Sequence, residues 1–112
     1  MKKIEAIIRP EKLDEVLKAI ESTGYSGVMI TEIKGHGKQK GIVQQWRGSQ
    51  YRVTLLTKVK IEIVAKNKDV EKIRSAVASA AKTGEIGDGK IFVYDISDAY
   101  KIRTGETGDE AI

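Results

Sequence analysis

Val59-Lys60-Ile61-Glu62-Ile63-Val64-Ala65 alternates apolar and charged residues with a period of two. Val59, Ile61 and Ile63 point one way, and Lys60 and Glu62 the other, which is the pattern of a strand with one buried face. The period then changes. Asn67 and Asp69 supply a helix start, and Val70, Ile73, Val77 and Ala80 recur at helical spacing until Gly84 ends the segment. Lys90 to Ile96, carrying Phe92 and Tyr94, reads as a strand again. The second half of the chain is therefore strand–helix–strand.

Upstream the order repeats. Lys2 to Arg9 is an isoleucine-rich strand stopped by Pro10, a residue that also suits a first helical position. Leu13, Val16, Leu17 and Ile20 form an apolar stripe at i, i+3, i+4 and i+7, and Gly24 closes that helix. Val28 to Lys34, with Val28, Ile30, Thr31 and Ile33, makes the next strand. Ile4-Glu5-Ala6-Ile7-Ile8 and Ile61-Glu62-Ile63-Val64-Ala65 echo one another at the head of each unit. Two βαβ units with their helices on one face predict an α+β, ferredoxin-like βαβ-βαβ sandwich. The tail, Ser97 to Ile112, is polar and reads as strand-like or loop near Lys101 to Thr104.

At 112 residues the expectation is one domain, 1–112, with one small core. The chain has no Cys and one His, His36. That excludes disulfides, iron–sulfur clusters, thiolate zinc sites and a Cys nucleophile, and leaves a catalytic triad or a zinc site hanging on His36 alone. Apolar residues make up 40% and aromatics 5%, so wide disorder and a ring-built core are both disfavoured. No apolar run approaches the ~18 residues of a membrane span. Glu5 interrupts the apolar start, unlike a signal peptide. A cytoplasmic protein is expected.

The formal charge of +4 is unevenly placed. From Ile33 to Ile61 there is no Asp or Glu, while Lys34, Lys38, Lys40, Arg47, Arg52, Lys58 and Lys60 all fall there. The rest of the chain is net acidic. This basic stretch coincides with a 23-residue connection, Gly35 to Thr57, rich in Gly35, Gly37, Gly41 and Gly48. Connections beyond about 12–15 residues in a compact domain are usually functional or disordered. A basic loop serves solubility, or it meets an anionic small molecule, a nucleic acid or an acidic protein surface.

Two glycine-rich segments bear on that choice. In Thr83-Gly84-Glu85-Ile86-Gly87-Asp88-Gly89-Lys90 the spacing from Gly84 to Gly89-Lys90 nearly matches a P-loop, but Ile91 replaces the Ser/Thr that would hold Mg²⁺. It also follows a helix and opens a strand, the inverse of P-loop context. Either it is a nest of backbone N–H groups for phosphate with Lys90 adding charge, or it is an ordinary turn with a Gly cap. Gly35-His36-Gly37-Lys38-Gln39-Lys40-Gly41 has one residue too many for a dinucleotide fingerprint and no helix after it. It could still wrap an anion, with Gln39 offering an amide oxygen to a metal. Lys101 and Arg103 alternate on one side of the tail, within reach of phosphate or simply solvated. Ser49 and Tyr51 lie on the basic connection, where a modifying enzyme could reach them.

Taken together, MKKIEAIIRP, KGHGKQKG, WRGSQY, KVKIEIV, TGEIGDGKIFV, IRTGE and the terminal AI resemble the PII signal-transduction proteins, the GlnB/GlnK family, over nearly the whole chain. The resemblance implies a homotrimer in which each subunit projects a T-loop, about 37–55. It implies a phosphate loop at about 82–90, a C-terminal tail at about 97–112, and ATP or ADP in clefts between subunits. Gly87, Asp88, Gly89 and Lys90 would hold the phosphates, with Lys38, and with Lys101 and Arg103 from a neighbour. Met29, Gly37 and Val64 would lie along the nucleoside. Mg²⁺ would bridge ATP and 2-oxoglutarate with Gln39 as protein ligand, and Lys58, the backbone from Gln39 through Lys40 to Gly41, and Gly87 would complete the 2-oxoglutarate site. The implied role is non-enzymatic regulation of an ammonium channel, the glutamine synthetase system or transcription regulators through the T-loop, with Arg47 as a channel contact. Direct nucleic-acid binding is not implied, and a membrane is met only through a channel partner. Tyr51 and Ser49 match modified positions in some branches. The chain departs from the common pattern at Met29, His36, Lys38, Trp46, Gln50, Thr54 and Lys101. The alternative is a ferredoxin-like RNA-binding module, in which Lys90-Ile91-Phe92-Val93-Tyr94 would act as a stacking strand; the first and third strands lack the supporting aromatics.

Overall fold

The computed structural model describes residues 1–36, 42–46, 49–53 and 55–112, the two short inner stretches as backbone only. In chain order the elements are β1 (Lys2–Ile8), α1 (Leu13–Ser22), β2 (Met29–His36), β3 (Ile42–Trp46), β4 (Ser49–Val53), β5 (Leu55–Ala65), α2 (Val70–Ala81) and β6 (Lys90–Asp95). Short 3₁₀ turns at Pro10–Lys12 and Asn67–Asp69 lead into the two helices, and a third closes the tail at Gly108–Ala111. The main sheet has the order β2-β5-β1-β6, and each neighbouring pair is antiparallel. This is the ferredoxin-like arrangement that the repeated βαβ order predicts.

The alternation of β1 and β5 sets the layers. Ile4, Ala6 and Ile8 of β1 and Val59, Ile61, Ile63 and Ala65 of β5 are buried. They meet Val16 and Ile20 of α1 and Ile73, Val77 and Ala81 of α2, all buried in the same cluster. Each such Val or Ile contributes about 1.5–3 kcal/mol on leaving water. The opposite sheet face mixes an ionic cluster with apolar side chains such as Met29 and Phe92. The Lys3 ammonium donates to Glu62 (3.1 Å) and stands 4.5 Å from the centre of the Tyr94 ring. The Tyr94 hydroxyl in turn donates to Glu5 (2.9 Å).

Several boundaries differ from the sequence reading. β2 runs past Lys34 to His36, and β5 starts at Leu55, so the two pair residue for residue to His36 opposite Leu55. Within the connection, β3 and β4 form an antiparallel pair, with Ile42 opposite Val53 and Trp46 opposite Ser49. The connection is therefore not loop throughout. The two strands are adjacent in sequence, yet a basic, glycine-rich stretch without a clean apolar–polar alternation leaves little periodic trace of such pairing. α2 ends at Ala81, with Lys82 already extended, so Gly84 belongs to the following loop rather than to a helix cap. Asp69 makes no cap bond at α2. Its carboxylate instead accepts from the Tyr25 hydroxyl (2.5 Å), which itself accepts from the Lys66 amide (3.2 Å). Gly24 does end α1: at φ +95° its amide donates to the Glu21 carbonyl (3.0 Å).

Candidate functional site

The site is built where the loop from Lys82 to Gly89 crosses the end of β1. β6 opens with Lys90 opposite Ile7, so the residue before it must pass directly over the β1 backbone. Gly89 makes that crossing at φ +101°, and a Cβ there would fall 1.7 Å from the Ile7 carbonyl oxygen. Only glycine fits. Gly87 also has a positive φ, +104°.

Asp88, between these two glycines, organises the loop. Its Oδ2 accepts from the amides of Thr83 (2.8 Å) and Gly84 (2.9 Å). Its Oδ1 accepts from the Thr83 hydroxyl and from Arg9 Nε (3.2 Å). These donors, the Thr83 hydroxyl foremost, hold the carboxyl well below the usual carboxylate range. Arg9, with only 12% of its side chain exposed, also donates from Nη2 to the Ile86 carbonyl (2.9 Å).

From β5, the Lys58 ammonium donates to the Gly87 carbonyl (2.7 Å). Burial pushes the Lys58 pKa down, and the nearby Arg9 charge adds to this, while Glu11 and Asp88 oppose it. A partly desolvated cation beside a second cation favours an incoming anion.

Of these residues, Lys58, Gly87, Asp88 and Gly89 border a cavity of about 660 Å³. Its walls are Ile7, Gly35 and His36, then Leu56, Lys58 and Phe92, then the loop from Glu85 to Lys90. Among the described residues, the amides of Gly87 and Gly89 make no internal hydrogen bond. Glycine-permitted backbone whose amides make no internal hydrogen bond, flanked by Lys58 and Lys90, has the chemical makeup of an anion-accepting nest.

The structure thus gathers Gly87, Asp88, Gly89, Lys90 and Lys58 around one cavity. Met29, Val64, Lys101 and Arg103 are not among the residues that line it in their own chain. Met29 and Arg103 are exposed, Met29 on edge strand β2 and Arg103 in the tail turn. That turn is tied by the Lys101 amide to the Glu106 carbonyl (2.8 Å). Gly37, Lys38, Gln39, Lys40, Gly41 and Arg47 lie outside the described residues, as do the side chains of Ser49 and Tyr51. Sequence reasoning missed Arg9 and Thr83. For Thr83 the signal was present, since a hydroxyl residue before a Gly-rich turn often bonds back to the backbone. Arg9 carried no such local signal.

Comparison with known proteins gives a match over nearly the whole chain. Residues 1–106 match the family model described as nitrogen regulatory protein P-II. The nitrogen regulatory protein P-II of Rhodospirillum rubrum is 55% identical over 112 residues, all of both chains. That of Bradyrhizobium diazoefficiens is likewise 55% identical over the whole of both chains. Nitrogen regulatory protein P-II 2 of Methanothermobacter thermautotrophicus is 49% identical over all of this chain and 97% of its own.

Proposed function

The chain belongs to the P-II family of nitrogen regulatory proteins, non-catalytic signal-transduction proteins, and from that premise we propose that it senses adenine nucleotide and 2-oxoglutarate at the β1 cavity. The observation that carries this reading is the meeting of Gly87, Asp88, Gly89 and Lys90 with Lys58, from a distant strand, at one cavity. The nest and Lys90 would take the phosphates of ATP or ADP, and Lys58 a carboxylate of 2-oxoglutarate. Lys38 would add charge, and Met29, Gly37 and Val64 would lie along the nucleoside. In a homotrimer, Lys101 and Arg103 would reach the phosphates from a neighbouring subunit, which accords with their position away from their own cavity.

Mg²⁺ favours oxygen donors and would sit among phosphate and carboxylate oxygens, with the Gln39 amide as its protein ligand. The backbone from Gln39 to Gly41, including Lys40, would complete the 2-oxoglutarate site with Gly87. Occupancy would change the shape of the T-loop, which carries the output to an ammonium channel or to other nitrogen-regulatory proteins, with Arg47 as a contact and Tyr51 or Ser49 as modification points. Coupling of this kind is typically ~1–3 kcal/mol.

Isothermal titration tests the reading. ATP and ADP should compete for one class of site, and 2-oxoglutarate should bind only with Mg-ATP present. Binding of single-stranded RNA with no response to either nucleotide would overturn it in favour of the RNA-binding alternative. The Tyr94 hydroxyl and the Lys3 ammonium on the open sheet face already have acidic partners, Glu5 and Glu62, which disfavours that alternative.

A further inference from the structure

This inference rests on the nucleotide reading of the cavity and assigns a role to the residue that fits it least. A carboxylate in the middle of a phosphate loop should repel phosphate by Coulomb's law. An ionised carboxylate has about four acceptor positions. Asp88 spends its oxygens on the Thr83 amide and hydroxyl, the Gly84 amide and Arg9 Nε, all within the protein. Arg9 then bridges from Asp88 to the Ile86 carbonyl, so its guanidinium brackets Gly87 from both sides in sequence. Lys58 holds the Gly87 carbonyl itself.

We propose that Asp88 is a positioning residue, not a phosphate ligand: clamped by Arg9 and Thr83, its carboxylate holds the Gly87–Gly89 backbone in its anion-accepting shape. Arg9 is the anchor of that clamp. The lowered pKa of Asp88, held down by these same donors, keeps the clamp ionised at working pH.

The sign of one substitution decides the matter. Asp88→Asn keeps the shape of the side chain and removes a negative charge beside the phosphates. If charge alone mattered, ATP would bind more tightly. Positioning predicts weaker ATP and ADP binding, by about tenfold, because charge-assisted bonds that shape the loop are lost. Adenosine, which has no phosphate, should show no change in affinity. Arg9→Gln should lose a similar factor, the double variant should be little worse than either single one, and Arg9→Lys should recover part of the loss. Thr83→Val, a milder lesion, should lose a few-fold and serves if Asp88→Asn does not fold.

Amide hydrogen exchange gives a ligand-free readout, in which Thr83 and Gly84 should exchange faster in Asp88→Asn than in the unaltered protein. Unchanged or tighter ATP binding by Asp88→Asn overturns the proposal, as does an equal loss for adenosine and ATP. If the unaltered protein binds neither ATP nor ADP, the nucleotide reading falls and this proposal with it. If the unaltered protein binds and Asp88→Asn is unimpaired, only the positioning role falls.

Discussion

At the scale of single residues, two glycines with nearly the same backbone angle do different work. Gly84 (φ +91°) has open space where a Cβ would point, whereas Gly89 (φ +101°) has the Ile7 carbonyl oxygen there. Gly84→Ala should therefore meet only backbone strain, about 1 kcal/mol. Gly89→Ala must also push the loop off β1. Its stability loss should exceed that of Gly84→Ala by about 1–3 kcal/mol, with loss of ATP binding, in denaturant titrations and calorimetry run side by side. Equal effects of the two substitutions would contradict the contact with Ile7. The glycine pattern itself was legible in the sequence, because TGxxGDGK marks a turn whatever its purpose. The reason for Gly89 was not, since it lies in a backbone atom of another strand. Arg9 was invisible for the same reason. It reads as the polar end of a strand, and its partner Asp88 is 79 residues away.

At the scale of elements, periodicity found both helices and all four strands of the main sheet, because burial on one side imposes a pattern on the residues themselves. It lost the ends of β2 and β5, where His36 and Leu55 are exposed and burial imposes no pattern, and the whole of β3 and β4. The start of α2 shows a second kind of miss. Asp69 stands where a cap should be, yet its carboxylate joins Tyr25, in the segment after α1, to the entry of α2, with Lys72 as a second partner (3.6 Å). The Tyr25 hydroxyl is thus a pin between the two halves of the helical layer. Tyr25→Phe should destabilise the fold by about 1–3 kcal/mol, because it removes a bond to a charged acceptor and strands the Lys66 amide. Denaturant unfolding checks this, and a midpoint equal to that of the unaltered protein would mean that water replaces the hydroxyl at no cost.

At the scale of the whole molecule, the charge asymmetry seen in the sequence acquires a location. Lys58 from the basic stretch borders the cavity, and Lys34, also from it, donates to Thr57 on the neighbouring strand (2.7 Å). The proposed homotrimer would complete the picture. Ile102, between Lys101 and Arg103, is 93% exposed, so the tail turn presents an apolar side chain flanked by two cations. Sedimentation equilibrium should return a trimer of 12.4 kDa chains. Arg103→Ala should weaken ATP binding in that trimer without dissociating it. A monomeric mass, or full ATP affinity in Arg103→Ala, would show that each cavity works alone.

The edge strands carry a consequence for the newly made polypeptide. Among the described residues, β2 and β6 each leave one side without a partner strand, and Met29, Ile30, Phe92, Val93 and Tyr94 on them are exposed. Such edges are templates for unwanted strand addition. Were the chain to assemble as proposed, a subunit waiting for its siblings after synthesis would be at its most vulnerable to clumping and to proteases, and the supply of working protein would depend on how fast chains meet as well as on how many are translated.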